Sequence, residues 1–203
     1  MNESLLHLKA LLLLLCLGIS PFTAQAESVP FSTIKNHWGL ALGGAAATLA
    51  VHELGHFLVA ELEDAEPYFD GTTIKYRNSD GTDQQNLRLS SSGFQAQWIA
   101  SEYAFHRLRQ DSLSERQTAW NAGMVLGHIG ITAAYLLFIQ DQENGDVEGI
   151  SDATGLSTAE VLGIITLPAV LDSMRLAGVG SPRVLGWTSG GFKAIGITAV
   201  WAF

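Results

Sequence analysis

Residues His52-Glu53-Leu54-Gly55-His56 form an H-E-x-x-H pattern. On a helix, side chains four apart share a face, so two imidazoles can point at one metal ion while the glutamate stands beside them to take a proton from water. The pattern sits inside AAATLAVHELGHFLVAEL, a run of Ala, Leu, Val and Phe that otherwise has the composition of a membrane span. Two histidines and a glutamate are costly in hydrocarbon, and ionisable groups in such a place mark function by default. The chemistry expected of the pattern is zinc-dependent hydrolysis, with His52 and His56 as ligands and Glu53 as general base.

A catalytic zinc site takes a third protein ligand and keeps one position open. The soluble continuation H-E-x-x-H-x-x-G-x-x-H would need Gly and His where Val59 and Leu62 stand, and no glutamate occurs between Glu66 and Glu102. The candidate is therefore sought in another span. Asp172, in ITLPAVLDSMRLAG, is the one carboxylate deep in its apolar block, at about 9 Å from the expected membrane boundary against about 12 and 6 Å for His52 and His56. The competing role for Asp172 is an ion pair with Arg175. His128 lies near the level of His52 and is weighed as a packing residue, an alternative ligand or a neighbour of the site. Asn121 is a further candidate for contact with the site or its substrate. His7, His37 and His106 fall outside this group.

The elements that must carry these residues are apolar. Of the 203 residues, 47% are hydrophobic, concentrated in blocks at 37–60, 119–140, 156–178 and 183–203, each long enough to cross a bilayer. The first residues read as a cleavable signal peptide, 1–26, with Lys9, a Leu-rich core and Ala24-Gln25-Ala26 before Glu27. Removing it takes away Cys16, the sole cysteine, and with it any thiol chemistry. Residues 27–203 are then one integral membrane domain. The expected fold class is an all-α polytopic membrane protein of about four transmembrane helices. Gly39 and Gly43, and Gly123 and Gly127, have the spacing of close helix contacts. Between the first two spans, 61–118 is polar: TTIKYRN and NLRLSSS read as a β-hairpin around SDGTDQQ, followed by an amphipathic interfacial helix, GFQAQWIASEYAFHRLRQ.

Lys and Arg are concentrated in 61–118 and absent from 141–155, so the positive-inside rule puts 61–118 in the cytoplasm and 141–155 outside. The net charge of −9 and the lack of a basic stripe exclude nucleic acid as a partner. The expected partners are the lipid bilayer and a membrane-spanning peptide or protein, and the expected location is the bacterial inner membrane, crossed several times.

H-E-x-x-H in the first core span, a β segment after it, a second span and Leu171-Asp172 in the third together resemble the site-2 protease family of intramembrane zinc metalloproteases, over residues 37–178. The resemblance implies zinc held by His52, His56 and Asp172, Glu53 as general base, and hydrolysis of membrane-spanning substrates. Gly55 matches a small residue common in that family. The chain departs from it in having Ser173-Met174 after the aspartate, no Gly-Pro-x-x-Asn at the second span, where only Asn121 and Gly123 stand, and no room for a PDZ domain. Two other classes fit parts of the sequence. A non-catalytic metal-binding scaffold or regulator would keep the helices and the metal. An outer-membrane β-barrel would account for the alternating AIGITAVWAF, ending at Phe203.

Overall fold

A computed structural model describes residues 28–69, 74–78, 81–140, 142–143 and 145–203; the expected signal peptide falls outside them. The described chain is mostly helical. In order it forms α1 (Phe31–Asn36), α2 (Trp38–Leu62), β1 (Glu66–Phe69), β2 (Ile74–Arg77), α3 (Asp83–Leu108), α4 (Glu115–Ala134), α5 (Asp146–Thr154), α6 (Thr158–Ala177) and α7 (Pro182–Ala202). A π-helical turn, Tyr135–Ile139, prolongs α4. Three of the four expected spans correspond closely to α2, α6 and α7, and the other to α4 with its π turn. The C-terminal stretch that alternates like a barrel strand is helical.

Among the described residues, two helices, Trp38–Leu62 and Glu115–Ile139, are long and apolar enough to cross a membrane. The bent pair α5 and α6, which meet at 117°, makes a third if taken as one broken span. The bend is legible in the chain. Gly155 ends α5 at φ 70°, a left-handed position that glycine enters freely, and Ser157 with Glu160 closes a capping box on α6.

The polar segment departs most from expectation. Ile74–Arg77 is a strand as expected, but it pairs antiparallel with Glu66–Phe69 before it, in the register Glu66↔Arg77 to Phe69↔Ile74. NLRLSSS is not its partner. It belongs to α3, which begins where the Thr82 side chain accepts a hydrogen bond from the Gln85 amide. The Leu87-x-Leu89 alternation imitates a strand; the capping signal and the long apolar stripe that follows outweigh it.

Helix α3 is not interfacial either. Its 26 residues extend about 39 Å, and sixteen of them are buried among α2, α4, α5 and α7. Its buried amide side chains bond within the bundle: Gln97 donates to Thr132 Oγ1 at 3.3 Å, and Gln95 accepts from Trp201 Nε1 at 2.8 Å, whereas Trp98 Nε1 and Arg88 Nε are buried without a hydrogen-bond partner among the described residues. A helix enclosed by other helices can carry groups that lipid would reject.

Its neighbours fix its direction. His56 meets Leu89 and His52 meets Gln97, so α3 runs antiparallel to α2. Gly123 packs on Ala41 and Gly127 on Ala45, so α4 runs parallel to α2 at close range, whereas a Cβ on Gly39 would meet open space. Because α3 returns along the whole bundle, the β-hairpin and α5 lie at the same end. Tyr68, Lys75 and Tyr76 face Glu148 and Asp152 across one groove. The expectation that 61–118 and 141–155 lie on opposite sides is therefore not met, because reading α3 as interfacial left out one pass.

The far half of the bundle is held by four buried charges. Lys193 on α7 reaches Asp172 at 2.5 Å and Glu102 at 2.7 Å, and Arg175 reaches Glu102 at 2.7 Å and Asp172 at 3.1 Å. Ser189 adds a 2.6 Å bond to Asp172. Two acids and two bases make the group neutral, as burial requires.

Two outcomes test this architecture. With Cys16 replaced by serine, single cysteines at Asn78 and Glu143 should be labelled from the same side of the membrane, and one at Ser112 from the other. Lys193→Met leaves two carboxylates facing one guanidinium and should destabilise the fold by about 3–5 kcal/mol, read as a lowered unfolding transition in detergent.

Candidate metal centre

His52 and His56 are carried on the buried face of α2, 1% and 3% exposed. Their rings are held from behind. His52 Nδ1 lies 3.1 Å from Gln97 Oε1, and His56 Nδ1 lies 3.0 Å from the Leu89 carbonyl oxygen. Both acceptors favour the tautomer with the proton on Nδ1, which leaves each Nε2 with a bare lone pair. Those two Nε2 atoms are 3.4 Å apart.

The third donor is on the first residue of α5. Asp146 Oδ2 lies 3.3 Å from His52 Nε2 and 3.2 Å from His56 Nε2. Among the described residues, His52, His56 and Asp146 form a group whose ligand atoms all fall within 4.8 Å of one another. Three donors bound to one tetrahedral zinc ion at about 2.0–2.1 Å would stand roughly 3.3–3.4 Å apart, close to the triangle observed. Three lone pairs converging with so few protons between them is the arrangement a cation relieves.

The space in front of the triangle is kept by Gly93 on α3. A Cβ there would fall 2.5 Å from His52 Nε2 and 2.5 Å from His56 Nε2, so any side chain would enter the region the donors face. Gly55 serves the same approach from α2, where a Cβ would come 2.6 Å from the Ser92 carbonyl oxygen and 2.8 Å from Ala96 Cβ.

Two tyrosines border the donors. Tyr135, the first residue of the π turn, donates to Asp146 Oδ2 at 2.6 Å and stands 3.5 Å from His52 Nε2. A π turn at such a position is a frequent companion of functional sites, since it turns one side chain out of helical register. Tyr76, on β2, has its hydroxyl 3.1 Å from His56 Nδ1. Burial pushes its phenol above the usual range, and the negative charges of Asp146 and Glu53 push it the same way, so it stays protonated. Glu53 thus lies within electrostatic reach of this cavity, although its side chain is exposed.

The structure brings His52 and His56 together as the spacing implies. It does not bring Asp172 to them. Both Asp172 oxygens are taken by Lys193, Arg175 and Ser189, so the ion pair weighed against the ligand role, here shared with Lys193, is the arrangement observed, and Asp146 stands where Asp172 was expected. The depth argument for Asp172 failed because the missing pass through α3 misplaced the levels. His128 is fully buried with neither ring nitrogen hydrogen-bonded, and its Nε2 lies 3.7 Å from Asp172 Oδ2. It therefore adjoins the ion cluster rather than the donor triangle. Asn121 lies at the other end of the bundle, donating to the Gln117 carbonyl at 2.7 Å.

Asp146, Tyr135, Tyr76 and Gly93 escaped the sequence reading. Asp146 was hidden in an acidic loop, DQENGDVEGISDATG, with nothing local to set it apart from its neighbours. Searches among protein-family models, curated proteins and solved structures return no match to this chain.

Metal binding by the purified protein separates the two aspartates. Asp146→Ala should weaken zinc or cobalt binding by more than the roughly 10–100-fold that loss of an outer partner costs, with little change in the unfolding transition. Asp172→Ala should do the reverse, keeping the metal while lowering the transition. Gly93→Val should abolish metal binding by filling the space between the imidazoles.

Proposed function

We propose that the chain is a zinc-dependent endopeptidase of the membrane, crossing the bacterial inner membrane several times and cleaving membrane-spanning polypeptides, as the site-2 proteases it resembles in sequence do. The observation that carries this reading is the triangle of His52, His56 and Asp146, with Glu53 adjoining it on the same helix turn. The ligand set differs from the one the resemblance implies, with Asp146 in place of Asp172.

A zinc ion held by the three donors would supply a water of lowered pKa and a positive charge to polarise a peptide carbonyl. The chain's own residues do the rest. Glu53 takes the proton from the attacking water and passes it to the leaving amine, a role suited to a carboxylate that is not itself a ligand. Gln97 and the Leu89 carbonyl hold the two imidazoles in register. Tyr135 steadies Asp146 through its hydroxyl and remains close enough to donate to an oxygen developing charge in the same space.

The approach to the site supports a polymeric substrate. An open, polar cavity of about 340 Å³ lies between the hairpin, α3 and α5, bounded by Tyr68, Lys75, Tyr76, Ser90, Glu148 and Asp152. It runs up to Tyr76 and Leu89, two of the three residues against His56 Nδ1, the other being Ser92. Strand β2 forms part of its wall, where an extended segment can hydrogen-bond along the backbone once its helix has unwound.

The test uses a reporter with one membrane-spanning segment, co-reconstituted with the purified protein. Glu53→Gln should keep fold and metal yet lower cleavage by at least about 10²-fold, since the ligands remain and the proton acceptor is gone. A parent protein that holds zinc but cleaves no reporter, with Glu53→Gln indistinguishable from it, would make the chain a metal-binding scaffold instead.

A further inference from the structure

At the end of the bundle opposite the metal centre, the chain forms an open cavity of about 320 Å³ between α2, the end of α3 and the start of α4. It is lined by Leu40, Tyr103, Arg107, Arg116, Trp120 and Asn121, together with Gln117. No part of the proposed hydrolysis uses it.

Its chemistry is of two kinds. Arg107 and Arg116 bring two guanidinium groups to one cavity, and neither has a side-chain acceptor among the described residues. Among the described residues no acid lines the cavity, and Glu115, next to Arg116 in the chain, lies 3.4 Å from His37. Around the two cations stand Trp120 at 39% exposure and Tyr103 at 54%, with Trp38 at 65% on the first turn of α2. Tryptophan and tyrosine at the ends of apolar helices mark the headgroup level of a bilayer. The cavity lies at that level for both membrane-length helices, Trp38–Leu62 and Glu115–Ile139, since each starts beside it. The exposed Leu42 and Leu49 continue outward from it along α2.

We propose that this cavity binds the phosphate headgroup of an anionic glycerophospholipid. Arg107 and Arg116 pair with the phosphodiester, the amides of Gln117 and Asn121 offer donors to the glycerol, and the acyl chains follow the apolar face of α2. Arginine suits this task because its fork matches phosphate oxygens two at a time. A lipid fits better than free phosphate because an apolar surface leaves the cavity in the direction of the bilayer core. The assignment rests on the membrane reading of the chain and is independent of the metal.

Native mass spectrometry of the full chain in detergent tests it, with phosphatidylglycerol and phosphatidylcholine of matched acyl chains offered together. The parent should retain phosphatidylglycerol in preference. Arg107→Gln and Arg116→Gln should each lower that preference about fivefold, and the double variant about 25-fold. Arg183→Gln, an exposed cation at the same end but outside the cavity, should leave it unchanged. Equal retention of the two lipids by the parent, or an undiminished preference in the double variant, would overturn the site. Displacement of phosphatidylglycerol by millimolar inorganic phosphate would overturn the lipid as occupant. Retention of neither lipid would overturn the membrane reading with it, whereas loss of the headgroup preference alone would leave that reading standing.

Discussion

The close approach of α2 and α3 at Gly55 and Gly93 is the constraint on which the rest of the molecule depends. Two helices that present glycine to each other can bring backbone and ring within van der Waals distance, which ordinary side chains would prevent. Here the approach does two things at once. It places the carbonyl of Leu89 and the amide of Gln97 behind the two imidazoles, and it leaves the front of the imidazoles clear. A tautomer set from one side and a space preserved on the other are what turn two histidines one helical turn apart into a pair of directed lone pairs.

The same approach explains why a helix as polar as α3 can lie inside a bundle whose outer helices are apolar. Serines and glutamines along it are small or flexible enough to bond to neighbouring turns. Ser92 donates to the Leu89 carbonyl at 2.6 Å and Ser91 to that of Leu87 at 2.6 Å. With these hydroxyls answered locally, the helix offers Phe94, Trp98, Ala104 and Phe105 to the cores on either side. The metal centre sits near one end of this helix and the ion cluster near the other, so α3 is the axis to which both polar sites are attached.

Much of this was legible in the chain. The four apolar blocks are helices, and the histidine pair faces inward as its spacing requires, because a period of 3.6 and a contrast between apolar and ionisable residues are local properties. Ile74–Arg77 was legible as a strand for the same reason. The third donor was not. A ligand from the start of a distant helix depends on which end of the bundle that helix occupies, and that parity turned on one helix whose composition hides its depth. Thr82 and Gln85 announce the start of α3 correctly, yet nothing in Asn86 to Arg109 says whether the helix lies along a surface or is enclosed by partners. Asp172 illustrates the opposite error: a buried carboxylate was rightly singled out as costly, but Lys193, which joins Arg175 in compensating it, is 21 residues away, and Glu102, the second acid of the neutral group, is 70 residues away.

That compensation has a bearing on how the chain is assembled. Helix α7 carries its lysine in the middle of an otherwise apolar stretch, and α6 carries an aspartate and an arginine. On its own α7 would bury an unanswered charge, whereas α6 already sets Asp172 against Arg175, and the two antiparallel helices joined by Gly178 and Gly180 form a hairpin in which Asp172 also answers Lys193. One positive charge then remains in surplus on the hairpin. Glu102 on α3 is the group that cancels it, so the central polar helix gives the last two helices a seat that matches them by charge.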